Sequence, residues 1–193
     1  MAASPGLSGA PATLRRVAWT VPEWPWLVLA SGAWVALAAH AAHARPAVAW
    51  PVMVVAMMVP AALPILRAIS LEGLWSRRYR APAIFLASYV AIWSLFGVLA
   101  LGAWALASDD GADRHAHLVM AAILLAAAGW QVTRPHRRAL KRCHRRRPVG
   151  VRGLAADRAC AGYGAYHARQ CVVTCWPLML AMAPAHLPVL MAA

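Results

Sequence analysis

The sequence predicts an all-α, polytopic helical membrane protein of about five transmembrane helices with a cytoplasmic N-terminus. Three observations carry that expectation. Hydrophobic residues make up 62% of the 193 residues and charged residues only 13%, against ~45–50% and ~25% in soluble domains. The net charge is nevertheless +13, so the few charges must be concentrated. Apolar stretches close to the ~20 residues that cross a bilayer core alternate with connections of contrasting basicity.

Residues 1–20 open with an Ala, Gly, Ser and Pro-rich run and are expected to be disordered. Residues 21–193 form a single helical membrane domain. Its first apolar segment, 24–42, follows Arg15 and Arg16 as a signal peptide would. Its length, Glu23, and the prolines and tryptophans at its start favour an uncleaved first helix. The second segment, 48–66, carries Met53, Met57 and Met58 among Pro51, Pro60 and Pro64. Each proline removes a backbone donor and leaves carbonyls free. The third spans 83–107. The fourth, 117–132, is short and calls for an earlier start near Asp113 or a tilted packing. The fifth spans 171–193.

Orientation follows from the basic residues between these segments. Arg15 and Arg16 precede the first. Arg67, Arg77, Arg78 and Arg80 lie between the second and third. Ten arginines and Lys141 fill the connection 133–170, whereas the other two connections hold only Arg45 and Arg114. Positive charge stays inside, so the N-terminus is cytoplasmic, the C-terminus is outside, and 133–170 is a basic cytoplasmic loop. No aromatic residue is interleaved with the arginines between Arg134 and Pro148. Anionic lipid headgroups, at ~1 kcal/mol per charge near the surface, account for that stretch better than nucleic acid does.

Chemistry concentrates in the last segment. His167, Cys171, Cys175 and Met179 are spaced by fours, and Met182 follows. At ~100° per residue a helix would gather all five on a stripe about 120° wide. Thiolates and thioethers select soft metals, Cu(I) above all. With the chain entering the membrane from the cytoplasm here, the thiols stay reduced and available. Met57 and Met58 lie mid-span in the second segment and Met182 in the fifth, so thioethers from both helices are expected to meet at one depth. The bland reading makes the methionines gap-filling core and the cysteines small hydrophobes. A second donor set, His40, His43, Asp109, Asp110, Asp113, His115, His117 and His186, would lie outside and could collect a borderline metal, or is simply solvated.

There is no phosphate-binding glycine loop, HExxH or G-x-S-x-G. The five segments contain no carboxylate, the usual proton relay of a transporter. These absences argue against an enzyme and against proton-coupled transport.

Three short signatures resemble a bacterial family of predicted metal-binding integral membrane proteins, often labelled copper chaperone. Trp50 with Ala56-Met57-Met58-Val59-Pro60 is similar to the first. Trp130-Gln131-Val132-Thr133, followed by Lys141 and Cys143, is similar to the second. Gly164, His167, Cys171, Cys175, Trp176, Leu178 and Met179 are similar to the third. They occur in the family's order over residues 50–182. Where the family commonly carries Gly-Cys-Cys-Trp, this chain has Val173-Thr174-Cys175-Trp176, a hydroxyl for one thiol. The resemblance implies a copper-handling, non-catalytic membrane protein.

The expected function is therefore to bind Cu(I) and deliver it to, or store it for, a membrane copper enzyme. Cys171 and Cys175 would be anchoring thiolates; Met57, Met58, Met179 and Met182 exchangeable thioethers; His167 a ligand on the cytoplasmic side. The rival expectation is an accessory, structural subunit of a larger membrane complex, with the ten tryptophans as packing anchors.

Overall fold

The computed structural model describes residues 20–40, 46–72, 74–107, 116–143 and 153–182, and among them every regular element is a helix. The elements are α1 (Trp24–His40), α2 (Pro46–Glu72), α3 (Arg80–Ala107), α4 (Ala116–Gln131), α5 (Arg134–Cys143) and α6 (Gly153–Met182), with a single 3-10 turn, Trp75–Arg77, ahead of α3. The N-terminal segment expected to be disordered lies outside the described residues apart from Thr20.

α3 and α6 form the most extensive helix pair; α1 packs on α2, α2 on α3, and α4 and α5 on α6. The order of contacts fixes the direction of the central pair. Arg80 meets Asp157, Phe85 meets Tyr163 and His167, and Tyr89 meets Cys171. Both sequences ascend together, so α3 and α6 run parallel. α2 runs against α3: Trp50, near its start, donates from Nε1 to the Trp93 carbonyl at 3.0 Å. Gly97 lets that indole lie on the α3 backbone, since a Cβ there would overlap the Trp50 ring. Gly164 does the same for α6, where a Cβ would strike Ser88 Oγ and the Phe85 carbonyl. Small residues at such crossings are how apolar helices approach closely.

Two expectations need correction. By length and composition, two helices, not five, suffice to cross a membrane among the described residues: Val48–Glu72 and Trp75–Ala103. Trp24–Ala39 and Ala121–Gln131 are apolar but shorter. α6 carries Asp157 and Arg158 in its first turns and Arg169 just past its middle, and residues 183–193, which would complete the fifth span, lie outside the described set. Nor are the described residues of 133–170 a plain loop: 134–143 form α5 and 153–170 the first five turns of α6, where Ala, Gly and Tyr spacing supplies a packing face that the arginines hid from a charge-based reading, while 144–152 lie outside the described residues. Gly153 opens α6 with φ 73°, a left-handed geometry suited to glycine.

Candidate metal centre

The site is assembled where α2, α3 and α6 meet. Cys171 Sγ lies 3.9 Å from Met58 Sδ, and Cys175 follows one turn along α6, close enough to interact with the Cys171 thiol. Two sulfurs bound at ~2.3 Å to one ion, ~120° apart, would be separated by about 4 Å. The observed spacing fits that requirement. Tyr89, on α3, donates its hydroxyl to Cys171 Sγ at 3.2 Å. Thr174 turns its hydroxyl back to the Cys171 carbonyl at 2.8 Å and lies 3.5 Å from Cys175 Sγ. Where the family commonly has a second vicinal thiol, this chain therefore has a hydroxyl engaged with its own helix.

Met58 and Met179 are buried and belong to the core cluster, and Met57 is half-buried against it. Met182 ends α6, and its side chain lies outside the described residues. It sits eleven positions beyond Cys171, about 16 Å further along the helix at ~1.5 Å per residue. Met58 is thus level with Cys171 and not with Met182, because the antiparallel course of α2 sets the register. His167, one turn before Cys171, is buried in an aromatic cage of Phe85, Tyr89 and Tyr163, its ring 5.7 Å from that of Tyr89. The structure brings together Met58, Cys171 and Cys175, with His167 in the next turn. Among the described residues no three His, Cys, Asp or Glu side chains converge to hold a metal ion, so the thioether is needed to complete a trigonal set. The outer donors from His40 to His186 have no described side chain among them.

A second layer is built from the Trp130-to-Thr133 signature, Cys143 and Trp176. Trp130, at the end of α4, donates to the Val173 carbonyl at 2.8 Å and stacks edge-on against Trp176. Thr133 then closes the turn: its hydroxyl donates to the Trp130 carbonyl and accepts the His136 N–H at 3.4 Å. That is an N-cap bond, with Pro135 inside the first turn, where no backbone donor is needed. α5 consequently lays His136, Ala139 and Cys143 on α6, with Ala139 and Cys143 buried and Arg137, Arg138, Lys141 and Arg142 outward. Cys143 is within electrostatic range of both Cys171 and Cys175, and His136 of Cys175. The i, i+3, i+7 spacing of His136, Ala139 and Cys143 was the available signal. Tyr89 left none, being one tyrosine in an apolar helix.

Residues 47–192 match a family model described as PpoB2, copper chaperone. The chain belongs to that family. No curated protein and no solved structure matches it. The PpoB2 match covers the whole of the sulfur site, from Met58 on α2 to Cys175 on α6, together with α5. It agrees with copper handling, and the soft donors are the feature of this PpoB2 chain suited to that cargo.

Proposed function

We propose that this chain is a multi-pass protein of the cell's inner membrane that binds Cu(I) and delivers it to, or stores it for, a membrane copper enzyme, without catalysing a reaction itself. Cys171 and Cys175 act as thiolate anchors and Met58 as the third, thioether ligand. Met57, Met179 and Met182 are exchangeable thioethers near the path, and His167 is a ligand one turn towards the basic side. The observation that carries the reading is the 3.9 Å approach of Cys171 Sγ to Met58 Sδ, from helices far apart in sequence.

Support for membrane integration is the inverted distribution of side chains. Val35, Val98, Leu106 and Leu125 are each at least 67% exposed, while Asp157, His167 and Thr174 are buried. A solvent of lipid suits that surface better than water does. α1 and α4 are apolar but shorter than a full span. The basic face of α5 lies on anionic headgroups on the cytoplasmic side.

The full chain, purified in detergent and loaded with Cu(I) under reducing conditions, is expected to retain equimolar copper. Replacing Cys171→Ser and Cys175→Ser together should weaken retention at least about tenfold, and Met58→Leu should weaken it less. Unchanged copper in the double variant would overturn the proposal and favour the accessory-subunit reading.

A further inference from the structure

We propose that Tyr89 is a positioning residue of the sulfur site. Its hydroxyl, aimed at Cys171 Sγ before any metal arrives, stabilises that sulfur as a thiolate and sets how tightly Cu(I) is kept. This rests on the reading of Cys171, Cys175 and Met58 as the ligands. Four observations point to it. Tyr89 is 1% exposed, and its O–H donates to Cys171 Sγ at 3.2 Å. Its ring is fixed by neighbours on both helices, stacked on Phe85 at 6.2 Å and tilted against His167 at 5.7 Å. Cys171 Sγ–H is in turn the donor towards Met58 Sδ, 3.9 Å away. The thiol's own proton thus occupies the direction an ion shared with Met58 would take, and the bond from Tyr89 need not break. Trp93, one turn along α3, is fully buried beside the phenol, and its Nε1–H makes no hydrogen bond, an unusual state for a buried donor.

Charge explains why the site needs such a group. One Cu(I) held by two thiolates carries a net negative charge, and the sulfurs pack against the hydrophobic core, where an uncompensated charge is costly. A hydrogen bond to an ionised acceptor is roughly twice as strong as a neutral one, so the bond from Tyr89 tightens on metallation. When Cu(I) arrives, the Cys171 S–H bond breaks, its proton goes to solvent and a copper–sulfur bond forms. The phenol keeps its proton, and copper keeps its oxidation state. As the phenol leans further on the sulfur, its oxygen becomes a better acceptor, and the Trp93 N–H is the donor placed to answer it. Trp93, Tyr89 and Cys171 are then ordered in one direction, a chain whose members strengthen one another. Cys175 has the Thr174 hydroxyl at 3.5 Å instead.

The test uses the full-length chain in detergent, loaded with Cu(I) under reducing conditions. Competition with bathocuproine disulfonate reads the affinity, and the near-ultraviolet difference spectrum reads the thiolate-to-copper charge transfer. Tyr89→Phe, which keeps the ring and its stack, is expected to bind about 10-fold more weakly. Its charge-transfer absorption should move to longer wavelength, because a sulfur relieved of a hydrogen bond gives up electron density more readily. Genetically encoded 3-fluorotyrosine at position 89, a stronger donor of almost the same shape, is expected to move the absorption the opposite way. In a Cys171→Ser background, Tyr89→Phe should change the affinity no further. Parent affinity with an unshifted absorption in Tyr89→Phe would overturn the proposal. So would shifts of one sign in both variants, or full weakening in the Cys171→Ser background, since either traces the effect to packing. If Tyr89→Phe does not fold, the direction of the fluorotyrosine shift decides alone. Failure of the ligand reading looks different: the parent and the Cys171→Ser, Cys175→Ser chain would then load alike.

Discussion

At the scale of single residues, burial governs the two thiols outside the sulfur site. Desolvation raises the Cys143 pKa from 9.0 to about 11, and the nearby Cys175 adds to it. The Cys160 thiol is also raised, chiefly by burial; Arg77 partly offsets this and Asp157 adds to it. A raised thiol pKa means that the folded chain holds the proton more tightly than the unfolded one does. The resulting stability is complete below about pH 9 and is lost as pH climbs through about 11. Thermal unfolding of the metal-free chain in detergent should therefore show a midpoint that falls across that window, and Cys143→Ala should flatten part of the fall. Identical slopes for parent and variant would refute the assignment. A raised pKa lowers the thiolate fraction of Cys143 near neutral pH, and with it the thiol's nucleophilicity.

At the scale of helices, the contact between α3 and α6 decides whether Tyr89 and Cys171 meet. It depends on Gly164, where an added Cβ would overlap the Phe85 carbonyl oxygen and come within 3.0 Å of its carbon. Backbone cannot yield as a side chain can. Gly164→Ala should cost about 1–3 kcal/mol of stability and weaken copper retention through the displaced Cys171. Gly162, two residues earlier, has nothing within 4 Å of where a Cβ would stand and serves as the control. Gly162→Ala should be neutral or stabilising by about 0.5–1 kcal/mol. Equal midpoints for the two variants, measured by thermal unfolding, would refute the role of the close approach. These helices also show what was legible beforehand. The His167, Cys171, Cys175 stripe and the apolar spans were readable because a 3.6-residue period is a property of the chain alone. The partner of Cys171 was not readable, since choosing Met58 over Met182 requires the register between helices 113 residues apart. α5 was hidden because charge density masked a packed face only three residues wide, and the first half of α6 because its buried face is made of small and polar residues among charges.

At the scale of the whole molecule, ion pairs collect at one end of the bundle. Glu23 at the start of α1 meets Arg67 late in α2. Asp157 early in α6 is held by Arg77 and Arg80, and Arg77 also donates to the Gly153 carbonyl at 3.0 Å. Each of these sites falls in or beside a connection that the basic-residue pattern assigns to the cytoplasm. α5 breaks the simple picture of a flat charged end. Its basic face lies level with Cys175, eighteen residues past Asp157 and so about 27 Å further along α6. The first half of α6, with its Phe85 and Tyr89 contacts, then stands between two charged layers, and the thiol pair sits at the upper one. On α3 the large exposed apolar residues begin at Leu95 and continue through Val98, Leu99 and Leu106, just beyond the Tyr89 level. Under the proposed membrane insertion, the basic-residue pattern assigns the connections before α3 and before α6 to the same, cytoplasmic side. Reporter fusions test this arrangement in a bacterial host. Green fluorescent protein joined after Arg78 or after Arg138 should fluoresce, and alkaline phosphatase joined after Ala112 should be active. Phosphatase activity after Arg138 would invert the helix that carries the thiols, and with it the direction in which copper is handed on.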